Sequence, residues 1–190
     1  MTMNDTARSH PARRQLLALL GWCACSAGCT VPASGIGGSG IDQQQRLRGI
    51  ALVLVVDAVP GAQMEGVVFY DDREHVVYAK SLVSRRTREI MALGGTRAPT
   101  AVRAVWRKDG RYDYSHATWY GGTILGDHTI PVAARIPDEV LRDIRAQGGA
   151  LRLKFRLKPD GVLFGWDIER PGGGISRFDM PGGDFLETRY

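Results

Sequence analysis

The sequence predicts an α+β fold: a mainly antiparallel β-sheet of about six to eight strands with one clear helix, as a single domain over residues 47–190. Three stretches carry that prediction. "LRLKFRLKPDGVLFGWDIE" alternates apolar and charged residues on both sides of a Pro-Asp-Gly turn, which is the period of a hairpin with one face in the core. "RGIALVLVVDAV" is an apolar, β-branched run without helical spacing. "IPDEVLRDIRAQGG" has the spacing of a short amphipathic helix.

Taken in order, Arg48 to Val59 reads as a strand buried on both faces or covered by a helix. "MEGVVFYDD" and "EHVVYAKSLV" read as two more strands around a polar turn at Asp71, Asp72 and Arg73. "SRRTREIMALGGTRAPT" is a charged loop with at most one helical turn. "AVRAVWRK" alternates, with Val102, Ala104 and Trp106 on one face and Arg103, Val105 and Arg107 on the other. "DGRYDYSH" reads as a turn and irregular stretch, and "ATWYGGTIL" and "HTIPVAARI" as further short strands. Pro131 cannot donate to a ladder, so the second of these lies at an edge or ends early.

The helix follows, with Pro137 at its first position, Asp138 and Glu139 complementing its positive end, and Gly148-Gly149 stopping it. Val140, Leu141 and Ile144 share the face to be buried. In the closing hairpin Leu151, Leu153, Phe155 and Leu157 alternate with Arg152, Lys154, Arg156 and Lys158. The tail from Pro171, broken by glycine pairs, reads as a short strand or docked extension.

The N-terminal segment has a different grammar. Arg8, Arg13 and Arg14 precede the apolar run "QLLALLGWCACSAG", a positive region followed by a greasy one, as in a secretory signal peptide. The run is shorter than the roughly 20 residues a membrane span needs. All three cysteines, Cys23, Cys25 and Cys29, sit at its end. No Cys or His pair follows at zinc-ligand spacing, and cleavage before Cys29 leaves one cysteine with nothing to pair with. Ser26-Ala27-Gly28-Cys29 is similar to the lipobox of bacterial lipoproteins, although Ser26 stands where leucine is usual. That likeness implies residues 1–28 as the signal, a lipidated Cys29, and residues 29–46 as the anchored tether. The stretch "TVPASGIGGSGIDQQQ" has the composition of a flexible linker. In such lipoproteins Thr30 after the cysteine favours the outer membrane. Arg13-Arg14 resembles a twin-arginine signal, so the export route is open between that system and the general one.

The formal charge of the 190 residues is +5. The leader carries three arginines against Asp5 alone, leaving 22 basic and 19 acidic residues, a net +3. That balance makes no compositional case for nucleic-acid binding. Catalytic signals are weak. Asp71, Asp72 and His75, and Asp113, His116, Asp127 and His128, match no metal-ligand spacing, and no metal or cofactor is expected. Ser81, Ser84, Ser115 and Ser176 lie in no G-x-S-x-G elbow. "GIGGSG" belongs to the tether rather than to a strand-to-helix phosphate loop. Trp106, Trp119, Tyr120 and Trp166 could line a sugar platform, but Trp106 and Trp166 lie on apolar strand faces and read as core.

Two surfaces are candidates for partner contact. One is the exposed basic strand with Arg152, Lys154 and Arg156, which reads more readily as a solvated face partly neutralised by Asp167 and Glu169 on the returning strand. The other is the polar aromatic loop with Tyr112, Tyr114 and His116.

"APTAVRAVWR", "IPVAARIPDEVLRDI" and "LRLKFRLKPDGVLFGWDIE", in that order behind a lipobox, resemble a group of uncharacterised proteobacterial lipoproteins, some of which are immunity proteins against type VI secretion phospholipase effectors. The resemblance covers about half of the mature domain. It implies a periplasm-facing, lipid-anchored protein that neutralises a membrane-active enzyme by occluding it, a task for a complementary surface and not for catalytic residues. The alternatives are a structural or assembly lipoprotein of an envelope machine, and an envelope hydrolase that would depend on His75, His116 or His128.

Overall fold

A computed structural model describes residues 45–84, 99–172 and 176–188. The leader, Cys29, the tether up to residue 44 and the loop at 85–98 lie outside the described residues. Ten strands are described: β1 (Ala51–Ala58), β2 (Met64–Tyr70), β3 (Val76–Val83), β4 (Ala101–Lys108), β5 (Arg111–Asp113), β6 (Thr118–Tyr120), β7 (Thr123–Pro131), β8 (Ala150–Lys158), β9 (Gly161–Arg170) and β10 (Arg177–Gly183). One α-helix, α1 (Asp138–Gln147), lies between β7 and β8.

The strands form two four-stranded sheets, in the orders β1-β8-β9-β10 and β3-β2-β4-β7, with β5 and β6 as a separate two-stranded ribbon. Pairing is antiparallel except between β1 and β8, which run parallel from Ala51↔Ala150 to Ala58↔Leu157. The fold class is the one expected, with more strands than the pattern suggested. One extra strand is β5, in the stretch that reads as irregular in sequence, while its partner β6 lies within "ATWYGGTIL", which reads as a short strand. Three residues a side are too few to show a period of two.

The sheets meet through their inner faces, where alternation placed the apolar residues. Leu52, Leu54 and Val56 of β1, Leu151, Leu153 and Phe155 of β8, and Val67 and Phe69 of β2 belong to one buried cluster with Val102, Ala104 and Trp106 of β4. Phe69 and Phe155 join the two layers edge-on, ring centroids 5.2 Å apart. Burying a side chain of this size stabilises by about 1.5–3 kcal/mol, so this cluster is the main force holding the layers together. Helix α1 adds Val140, Leu141 and Ile144 to the same cluster. Pro137 caps the helix in an extended conformation rather than opening it, and Gly148, at φ 78°, ends it. At β7, Pro131 is the last residue of an edge strand, where its missing N–H leaves no gap in the ladder.

Two tryptophans fix local backbone. A Cβ on Gly126 would lie 2.0 Å from Cζ2 of Trp106, and one on Gly182 2.5 Å from Cζ2 of Trp166. Each indole therefore lies flat over a glycine on the neighbouring strand, and the ladder slips register beside each one. Both tryptophans are core, as their strand faces implied.

Candidate partner-binding surface

The outer face of the first sheet is not the exposed basic strand the sequence suggested. Arg152 and Lys154 are 1% and 0% exposed, and Arg156 is half-buried. Alternation places these side chains together on the face away from the core, but it carries no information about what covers them. The cover is the C-terminal tail. Phe178 of β10 lies over the Arg152 guanidinium, 3.7 Å from Cζ to ring centroid, and Phe185 lies over Arg156 at 4.4 Å. Arg152 Nη2 donates to the carbonyl of Thr188 at 2.7 Å and Lys154 Nζ to that of Glu187 at 2.8 Å. Asp167, which the hairpin register sets opposite Arg152, accepts from Arg152 Nε at 2.5 Å and meets Lys154 Nζ at 3.0 Å. Asp57 of β1 receives Arg156 at 2.8 Å. Burial pushes the Lys154 amine below its ordinary pKa, with Asp167 opposing that shift, and burial pushes the Asp57 carboxyl up against the pull of Arg156. This face is neither a contact surface nor a solvated one; it is a tail-covered ionic layer.

The outer face of the second sheet is covered by the β5-β6 ribbon. The β6 strand lies against β2 and β3, and Tyr70 Oη and Thr118 Oγ1 are 3.2 Å apart. Val68 and Val105, paired across β2 and β4 and pointing away from the main core cluster, are buried. On the ribbon, Tyr112 packs edge-on with Tyr114 at 5.0 Å and against Trp119 at 5.3 Å. Tyr114 is 90% exposed, and Tyr120, Ile124 and Leu125 are exposed where the ribbon joins β7. The structure therefore brings Tyr112, Tyr114 and His116 together on one exposed ribbon, apart from the basic strand.

His116 belongs to a tight turn. Asp113 Oδ1 accepts from Ser115 N at 2.8 Å and Ser115 Oγ at 2.5 Å, while Asp113 Oδ2 lies 2.7 Å from His116 Nδ1. Ser115 Oγ is 3.0 Å from the same Nδ1. A nucleophilic triad needs serine on one ring nitrogen and carboxylate on the other; here both meet one nitrogen, so the carboxylate shapes a turn and does not orient a base. The hydrogen bonds from Ser115 and His116 hold the Asp113 carboxyl far below the usual range. His75 lies 3.3 Å from Asp71, and His128 stacks on Trp106 at 5.2 Å. Among the described residues no group of three or more His, Cys, Asp or Glu side chains could hold a metal ion, and no helix is long and apolar enough to cross a membrane.

Sequence reasoning missed Arg107. Alternation put it on the outer face of β4 but gave no reason to single it out. Its stem runs between two glycines: a Cβ on Gly66 would lie 2.7 Å from Arg107 Cγ, and one on Gly110 2.9 Å from its Cδ. Its Nη1 donates to the carbonyl of Gly121 at 3.2 Å. A guanidinium lodged this closely beneath an aromatic ribbon is the least expected feature of the surface.

No protein-family model matches the chain, and no match is found among curated proteins or among solved structures.

Proposed function

We propose that this chain is a lipid-anchored, periplasm-facing binding protein, an immunity or inhibitor lipoprotein that neutralises a membrane-active, phospholipase-type effector by occluding it. The observation that supports this reading is the β5-β6 ribbon, an exposed tyrosine-rich element held against a packed sheet. Tyrosine on a rigid support is a usual anchor of protein interfaces, since it offers large contact area with little conformational entropy to lose. Tethering through Cys29 would concentrate the inhibitor at the membrane its target attacks, which raises apparent affinity without new contacts. Thr30 after Cys29 favours the outer membrane over the inner.

The test uses the full chain in neutral detergent as bait in a periplasmic extract, followed by hydrolysis of phospholipid vesicles by the captured protein with and without added chain. Capture of one stoichiometric lipase whose activity falls on adding the chain supports the proposal. Capture of several envelope-machine components moves the assignment to assembly. Lipid hydrolysis by the chain itself would make it an enzyme.

A further inference from the structure

Two donors under the ribbon lack acceptors. Arg107 Nε and Trp119 Nε1 are both buried, and neither has a hydrogen-bond partner among the described residues. Both groups only donate, so nothing but an acceptor satisfies them. A buried donor left unpaired destabilises the arrangement that buries it. A Cβ on Gly110 would lie 2.9 Å from Cδ of Arg107 and 3.5 Å from Cε3 of Trp119, so the two side chains flank the same glycine.

The backbone around them is also strained. Asp109 and Ala117 take positive φ, 56° and 48°, although neither is glycine, and Gly121 and Gly122 lie at 64° and 63°. The ribbon thus joins β4 and β7 through Asp109-Gly110 on one side and a glycine pair on the other. Around the joint Lys108, Arg111, Tyr120, Ile124 and Leu125 are exposed. The nearby carboxylates hydrogen-bond elsewhere or are solvated: Asp113 to Ser115 and His116, Asp127 to Arg103 in a two-point pair at 2.8 and 2.7 Å while it also feels the Arg107 charge, and Asp109 to solvent.

We infer that the β5-β6 ribbon with Arg107 is a recognition site for an acidic segment of the partner protein, whose carboxylate accepts hydrogen bonds from Arg107 Nε and Trp119 Nε1 as the ribbon shifts on its glycine joints. The reading rests on the proposed binding function and specifies its surface. Charge selects the occupant: the unpaired donors are the Nε of a guanidinium, whose Nη1 is held by Gly121, and an indole N–H, with Lys108 and Arg111 exposed nearby. Tyr114, Tyr120 and Ile124 supply apolar contact around that polar centre, the arrangement of an interface with a polar anchor in an apolar patch.

The test needs no identified partner. The full chain, 15N-labelled in neutral detergent, is titrated with a hexaglutamate peptide and, separately, with hexalysine. The indole signal of Trp119, one of four tryptophans, is assigned from Trp119→Phe. Hexaglutamate is expected to move that signal downfield with an effect that weakens as salt rises, hexalysine to leave it in place, and Arg107→Gln to abolish the response while the Trp106 and Trp166 signals report an intact core. A Trp119 signal unmoved by millimolar hexaglutamate, or moved equally in Arg107→Gln, overturns the inference. With a captured partner in hand, Arg107→Gln is expected to weaken capture at least tenfold, about 1.4 kcal/mol. Unchanged capture by that variant would remove Arg107 from the interface yet leave the binding function standing.

Discussion

Arg152 and Asp167 face one another across β8 and β9, and both side chains are buried, at 1% and 0% exposure. Lys154 shares the same carboxylate, so Asp167 pairs with two buried cations. Removing the carboxylate takes the buried counter-charge from both cations. Asp167→Ala is expected to destabilise the domain by about 3–5 kcal/mol in urea unfolding, whereas replacing Arg152, Lys154 and Asp167 together by apolar residues recovers most of that loss. A small effect for Asp167→Ala would mean that the tail carbonyls, not Asp167, carry the compensation.

Gly126 is required by Trp106. Gly126→Ala places a methyl carbon against the indole and is expected to lower stability by about 1–3 kcal/mol, the usual penalty for overpacking a filled site. Adding Trp106→Leu should remove much of that penalty, because the two residues are in direct contact and their effects are not additive. Additive losses in the double variant would contradict the contact.

Acid should weaken the domain through its arginine-paired carboxylates. Hydrogen bonding by Arg135 holds Asp184 below the usual carboxylate range, as Arg103 does for Asp127 and Arg177 with Arg170 for Asp179. A depressed folded-state pKa contributes stability that is fully present above the unfolded value, near 4, and is lost as pH falls through the folded values. Asp57 acts in the opposite sense, since its pKa is raised. Asp113, Asp160 and Glu187 are depressed as well, so with six depressed carboxylates against one raised the urea midpoint should fall between pH 5 and pH 3. Asp184→Asn should flatten that fall, and a midpoint independent of pH would show that the pairs contribute nothing.

Tyr114 separates binding from folding. Its ring is almost fully exposed, so Tyr114→Ala is expected to change stability by no more than about 0.5 kcal/mol. The same variant should measurably weaken capture of a partner in the pull-down. Full capture by Tyr114→Ala would place the contact surface elsewhere.

Legibility followed the range of the interactions involved. The closing hairpin was readable because one unbroken alternation from Leu151 to Ile168 specifies both its turn and its core face. Trp106 and Trp166 were assigned to the core on the same ground. The burial of Arg152 and Lys154 was not readable, because it depends on Phe178, Phe185, Glu187 and Thr188, which lie far along the chain. A usable signal did exist, in the aromatic and acidic side chains spaced along a tail otherwise broken by glycine. The β5-β6 ribbon was hidden by its brevity. Tyr112, Tyr114 and His116 could be picked out by composition alone, while the lodging of Arg107 between Gly66 and Gly110 depends on the meeting of β2 with the end of β4.

The parallel pairing of β1 with β8 also sets an order of assembly. Asp57 and Arg156, which tie these strands together, are 99 residues apart, so the most apolar strand of the domain has no ladder partner until nearly the whole chain has emerged. Contacts of such long sequence separation slow folding, since loop closure must precede any gain from them. On the proposed export, taken by the general route, late closure would be an advantage: β1 would cross unfolded, and the domain would complete itself only once its closing hairpin had followed.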